Sequence, residues 1–204
     1  MNKRLAWNFE VNDDTSIQLP DPQVIEQNEV RWEARFFWSN DDIITLHGLN
    51  DTYLELSRYK AKHRQDIYCL LPTENYNLKI RREQLIYKPL LTTTPEALGF
   101  GNKINLEEQA SPQFLPGINN INTKTLLEKI QQDGCRIQVE KEALIYRFDT
   151  TPKSTIELAR LTINKISYFS ANIESRSMVL VKSISQQIIG KRVTCDYVNF
   201  LKGL

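Results

Sequence analysis

Residues 64–88, RQDIYCLLPTENYNLKIRREQLIYK, place Lys79, Arg81 and Lys88 among apolar residues that read as strand. Arginine and lysine are the natural partners of phosphate oxygens, arginine through its planar fork and lysine as a point charge. Cations repeated every second residue share one face of a strand, and such a face could grip a polyanion. Taken alone, the strand could equally turn Lys79 and Arg81 to water, as half of an open sheet does. The pattern recurs, however. Arg58, Lys60, Lys62, Arg64, Asp66 and Tyr68 share one parity, Lys141, Ile145 and Arg147 share a face of another strand, and Glu174 and Arg176 of a third. A sheet closed into a barrel, apolar faces outward under helices and charged faces inward, would account for all of them.

The elements that must position these residues can be read along the chain. Residues 1–27 form an N-terminal extension, with a short leading strand or ordered arm. EVRWEARFFW, residues 29–38, alternates as a strand with Arg31, Glu33, Arg35 and Phe37 on one side. DDIITLHGL is expected to be a short helix or turn, and TYLELSRYKAKHRQDIYCLL one or two strands. YNLKIRRE and QLIYKPLL are further strands, TTTPEALGFGNK a loop, and KINLEEQ a strand or strand end. TKTLLEKIQQDGC is a helix stopped by Gly134. RIQVEKEALIYRF, STIELARLTIN and ISYFSANIES are strands, and two helices, SMVLVKSISQQIIG and CDYVNFLKGL, follow. About eight strands with a few helices, and no run of βαβ units, predict an α+β, mainly β, antiparallel fold.

Composition narrows the chemistry. With 26 Lys+Arg against 25 Asp+Glu, net charge gives no global argument for nucleic acid or an anionic membrane, so any anion site must be local. The sequence lacks a P-loop, a dinucleotide fingerprint and a GxSxG elbow. Three widely spaced cysteines and two histidines disfavour a zinc site or disulfide framework, and reduced cysteines point to the cytoplasm. MNKRLAWNFE has no apolar run behind its cations, so neither a secretory signal nor a membrane helix is expected.

The ordered set of strands resembles the CYTH, or triphosphate tunnel metalloenzyme, superfamily from about residue 29 to Leu204. Gln65, Asp66 and Tyr68 resemble its Q-x-D-x-Y motif, one residue tighter; Lys79 and Arg81 its L-R-I-R strand; Lys88 its lysine-ended strand. Lys141 stands in a V-x-K-x-R-like strand, ANIES in its last E-I-E strand, and ISQQIIG with DYVNFLKGL resembles its closing segment. The resemblance implies an eight-stranded antiparallel β-barrel tunnel over residues 28–204, with helices packed outside. Family members bind triphosphates on inward Arg and Lys and hold one or two divalent metals on inward Glu. They include tripolyphosphatases, thiamine triphosphatases, one class of adenylyl cyclases and RNA triphosphatases.

Transferred residue by residue, the resemblance makes Arg31, Arg35, Lys79, Arg81, Lys88, Lys141 and Arg147 the phosphate grip. Glu33, Glu107 and Glu174 become ligands for Mg²⁺ or Mn²⁺, with Glu33 and Glu174 catalytic. The chain also departs from the family. Its E-x-E-x-K strand reads Arg31, Glu33, Arg35; its R-x-E-x-E strand reads Lys103, Asn105, Glu107; its E-I-E reads Asn172, Ile173, Glu174. Ala143 replaces an arginine, with Arg147 as substitute, and Ala159 replaces an acid, with Glu157 on the same face. Two expectations follow. One is a Mg/Mn-dependent triphosphatase acting on tripolyphosphate, or on a nucleoside or thiamine triphosphate. The other is a non-catalytic polyphosphate-, nucleotide- or partner-binding protein that has kept the grip and lost the metal site.

Overall fold

The computed structural model describes residues 2–12, 16–20, 29–107 and 114–204. Strands β1 (Lys3–Ala6) and β2 (Phe9–Asn12) form a hairpin. β3 (Arg31–Ser39) follows, then β4 (Ile44–His47), which pairs in parallel with β2. The stretch expected to be a helix or turn is therefore partly strand. Ile44 and Leu46 explain it: a period of two buries both side chains. Two 3₁₀ turns lead into β5 (Lys60–Leu70), β6 (Asn77–Arg81), β7 (Gln84–Lys88) and β8 (Leu90–Thr93). β9 (Leu98–Phe100) and β10 (Ile104–Asn105) lie where a loop and a strand end were expected. Helix α1 (Thr123–Asp133) precedes β11 (Cys135–Phe148), β12 (Ser154–Ile163) and β13 (Ile166–Ser175), and α2 (Met178–Ile188) and α3 (Tyr197–Lys202) end the chain.

The main sheet is antiparallel, in the order β10-β7-β6-β5-β11-β12-β13-β3-β9-β8. It is a curled, ten-stranded half-barrel and not the expected eight-stranded closed barrel. Two breaks set the strand count. Pro89, which has no N–H for a ladder, separates β7 from β8, and Gly101–Lys103 separates β9 from β10. The two ends of the sheet nevertheless belong to one hairpin, residues 84–105, since β10 pairs with β7 while β9 pairs with both β8 and β3. Gly99 allows this approach. A Cβ there would lie 2.5 Å from Thr92 Cγ2 and 2.7 Å from Val30 Cγ1.

Each strand of the wall sends alternate residues to two different environments. Ala34, Phe36, Ile156, Leu158, Ala171 and Ile173 face outward and pack with Leu180, Val181, Ile184 and Ile188 of α2 and with the small β1-β2-β4 sheet. On the other flank Cys69, Leu78, Leu85 and Tyr87 pack outward against Leu126 and Ile130 of α1 and against Leu115 and Ile118. Caps fix the helix starts: Asn122, Ser177 and Asp196 accept from the backbone N–H groups of Thr125, Leu180 and Asn199.

α3 departs from the expectation that helices pack outside. Tyr197, Val198 and Leu201 pack with Tyr68, Val139, Ala143, Ala159 and Leu161, whose register puts them on the inward face. Phe200 stacks on Phe37 at 3.9 Å. The last helix thus closes one end of the curled sheet with an aromatic floor. All three cysteines are unpaired, and no helix among the described residues is long and apolar enough to cross a membrane.

Candidate functional site: a cationic cup

Cross-strand register decides which side chains share the inward face. Glu33 stands opposite Glu174, Arg35 opposite Asn172, and Phe37 opposite Ser170. Next along the wall, Glu174 faces Thr155 and Asn172 faces Glu157, while Thr155 faces Arg147. Lys141 lies opposite Arg64, Tyr68 opposite Lys79, and Arg81 opposite Gln84. The sheet therefore brings Arg31, Arg35, Lys79, Arg81, Lys88, Lys141 and Arg147 onto one concave surface, together with Glu33, Glu157, Glu174 and Asp66.

Depth sorts these groups into layers. At the floor, Tyr197 lies 5.1 Å from Tyr68, and the Arg35 guanidinium sits over the Tyr197 ring at 4.7 Å. Above it runs a belt of ion pairs. Lys141 bonds Glu157 at 2.7 Å, and Arg35 Nη1 is 3.5 Å from the same carboxylate. Lys88 bonds Glu33 at 2.5 Å and covers the Phe100 ring at 3.7 Å. Arg81 makes a two-pronged contact with Asp66 at 2.6 and 2.5 Å, and Lys79 reaches the same carboxylate at 3.2 Å. Arg31 holds Glu174 at 2.7 Å nearer the mouth.

Several cations of the mouth stand outside these pairs. Lys62, Arg64, Lys103 and Arg147 have no ion-pair partner among the described residues. Three openings lie along this rim. One of about 640 Å³ is bordered by Arg31, Arg147, Lys153 and Arg176 and by the carboxylates of Asp149 and Glu174. A second, of about 570 Å³, is bordered by Arg64, Arg81 and Arg82. The smallest, about 240 Å³, leads to Glu33, Lys88, Lys103 and Glu174.

Electrostatics follow from this crowding. Burial alone would raise the Glu157 carboxyl, but Lys141 and Arg35 outweigh it and hold it at about 2. Burial also opposes ionisation of Glu33, and again its cations, Lys88 and Arg35, win and lower it. Glu174 is pushed up, first by burial and then by the facing Glu33. Burial depresses the Lys79 ammonium to about 7, against the pull of Asp66 and with the push of Arg81. Burial and the neighbouring Lys88 and Arg81 also lower Lys103.

The three carboxylates expected to hold a metal do not meet. Glu33 and Glu174 face each other across the β3–β13 ladder, whereas Glu107 is exposed in the turn after β10. No three His, Cys, Asp or Glu side chains converge as a metal site among the described residues. Mg²⁺ needs a near-octahedral shell of oxygens, and a two-metal site needs enough carboxylates for both ions. Two carboxylates already engaged by Lys88 and Arg31 do not fit that requirement. Sequence reasoning placed Lys62, Arg64 and Glu157 correctly by parity but did not find Tyr197 or Ser170. Nothing in DYVNFLKGL distinguishes a helix that plugs a barrel from one that covers it.

No family model and no curated protein matches the chain. Among solved structures, a protein of Bacillus halodurans provisionally named as an adenylate cyclase superposes on 80% of this chain and 93% of its own. The TM-score is 0.41 and the identity 8%, which transfers no residue role to this chain.

Proposed function

We propose that this protein binds a triphosphate- or polyphosphate-containing anion in a cationic tunnel of the CYTH type, its wall completed by the hairpin of residues 84–105. One observation carries the reading: four cations without an ion-pair partner among the described residues, Lys62, Arg64, Lys103 and Arg147, stand together on the rim of one concave surface. The cations of that surface, Arg31, Arg35, Lys62, Arg64, Lys79, Arg81, Lys88, Lys103, Lys141 and Arg147, outnumber its carboxylates, Glu33, Asp66, Asp149, Glu157 and Glu174. A polyanion would supply the missing negative charge. Arg147 and Arg64 would meet it first, and Arg31 and Arg81 could exchange a carboxylate oxygen for a phosphate oxygen without leaving the wall.

The binding reading is favoured over hydrolysis by the donor set. Glu33 and Glu174 are a pair held by cations, and Glu107 lies apart from them. Among the described residues no third His, Cys, Asp or Glu side chain joins them as a metal site, so no hydrolytic step is assigned. Thermal unfolding with tripolyphosphate in the presence of a chelator separates the readings. A rise in melting temperature without metal, and no phosphate release with Mg²⁺ or Mn²⁺, is the expected result. Metal-dependent phosphate release abolished by Glu33→Gln would restore the triphosphatase, and no response to any polyanion would remove both.

A further inference from the structure

The wall of the cup is not equally tall all round. β5 pairs with β11 along its whole length, from Leu70 opposite Cys135 to Lys60 opposite Ile145. On its other side it pairs with β6 only at Ile67–Ile80 and Tyr68–Lys79. The β6–β7 hairpin turns back at Arg82 and Glu83, whose φ values of 49° and 64° make a tight two-residue turn. Residues 60–66 of β5 therefore have no strand neighbour on that side among the described residues. At a strand's rise per residue, this low side of the wall is about 20 Å long.

The opening of about 570 Å³ lies in this gap. Arg64, Arg81 and Gln84 border it from the inward face, His63 and Gln65 from the outward face of β5, and Arg82 from the hairpin tip. Residues from both faces of one strand line one space, so it joins the inside of the cup to the outside. Arg81 holds Asp66 within the cup, whereas Arg64 and Arg82 have no ion-pair partner among the described residues. Among the described residues no carboxylate and no Phe, Tyr or Trp ring borders the opening. The other route, along the axis of the cup, is closed by Tyr197 and Phe200 of α3.

We infer that this opening is the lateral exit through which a linear inorganic polyphosphate longer than tripolyphosphate leaves the cup. The inference rests on the anion binding proposed above and adds the class of ligand and the path of its chain. A chain gripped inside has no way past the aromatic floor, so its remaining phosphates come out on the mouth side. The low side is where cations line a space that runs from inside to outside. The lining also selects the kind of chain. Nucleobases are held by stacking on aromatic side chains. The other two openings present a single ring, that of Phe148, which is 2% exposed. Among the described residues no exposed ring at the three openings receives a base, whereas further phosphates of an inorganic chain meet guanidinium groups.

Calorimetric titration in a chelator tests this, with tripolyphosphate and with an inorganic polyphosphate several times longer as the two probes. Arg82→Asn removes one exposed charge at a turn position whose positive φ asparagine accepts. It should weaken the long chain about three- to fivefold and leave tripolyphosphate unchanged. Gln65→Glu puts a carboxylate on the outward side of the opening and should weaken the long chain further, again sparing tripolyphosphate. A long chain offers many equivalent stretches to wild type and variant alike, so the ratio between them is the readout. Equal effects on both probes, or no effect on either, would overturn the exit while the tunnel reading stood. The same Arg82 dependence with a single-stranded oligothymidylate would give the opening to nucleic acid and overturn the inorganic chain. No binding of tripolyphosphate by the wild type would overturn the tunnel reading itself, and the exit with it.

Discussion

At the mouth of the cup, Lys62, Arg64, Lys103 and Arg147 have no carboxylate within ion-pairing distance among the described residues. Deeper in, Arg35, Lys79, Lys88 and Lys141 each have one. The two regions use the same residue types on the same faces of the same strands. Their difference is one of solvation. A cation near water can stand alone, because the high dielectric keeps it solvated. A cation taken out of water must be paired, because the desolvation cost is several kcal/mol per ion. The belt is therefore structural first, holding the wall together around Glu33, Asp66 and Glu157. The rim has no such duty and is free to meet a ligand.

Breaking the belt should have the largest effect. Glu157→Gln keeps the volume but leaves Lys141 and Arg35 buried without a counter-charge, and should cost about 3–5 kcal/mol in denaturant unfolding. The same pair sets the acid response. The Glu157 carboxyl lies at about 2 in the folded protein, below its ordinary value of 4.5. Its stabilisation is present above pH 4.5 and is lost as pH falls from there towards 2. The mutant should lose this part of the acid dependence.

Reversing rim charges should do the opposite. Arg64→Glu with Arg147→Glu should change unfolding free energy by no more than about 0.5 kcal/mol, as surface changes generally do. The double variant should bind tripolyphosphate at least tenfold more weakly. Equal loss of stability in belt and rim variants would erase the distinction between them.

A smaller effect concerns the boundary between the two regions. Lys79 is held at about 7 by burial, so it is largely neutral in the free protein above that pH. A bound anion favours the ammonium. Binding at pH 8 should then take up a fraction of a proton, and affinity should decline as pH rises above 7. Titrations in buffers of different ionisation enthalpy measure the uptake, and Lys79→Met should abolish it. The smallest change lies outside the wall. Asn122→Ala removes the N-cap of α1 and should cost about 1 kcal/mol of stability with no change in affinity.

Much of the wall was legible because strand parity is a strict period of two. Lys62, Arg64, Lys79, Arg81 and Lys141 share the inward face that their spacing predicted. The helices at 123–133 and 178–188 were legible from apolar spacing and a terminal glycine. Three features were not. The break at Pro89, which helps to make ten strands of an expected eight, is visible in the sequence, but whether the chain continues in the same direction beyond it depends on partners far away. Glu107 is close in sequence to inward residues, but the ladder of β10 ends at Asn105 and takes its periodicity with it. The role of Tyr197 depends on a short helix turning into the cup, which no local pattern encodes.

The central claim is that the rim is an anion-binding surface made of unpaired cations. Calorimetric titration of the wild type with tripolyphosphate, in a chelator and over a range of salt concentrations, tests it most directly. The account predicts binding without metal that weakens steadily as salt rises, since solvent-exposed charges are screened over about 10 Å at 0.1 M. Absence of binding at low salt, or binding unaffected by salt and by the Arg64→Glu, Arg147→Glu double change, would contradict it.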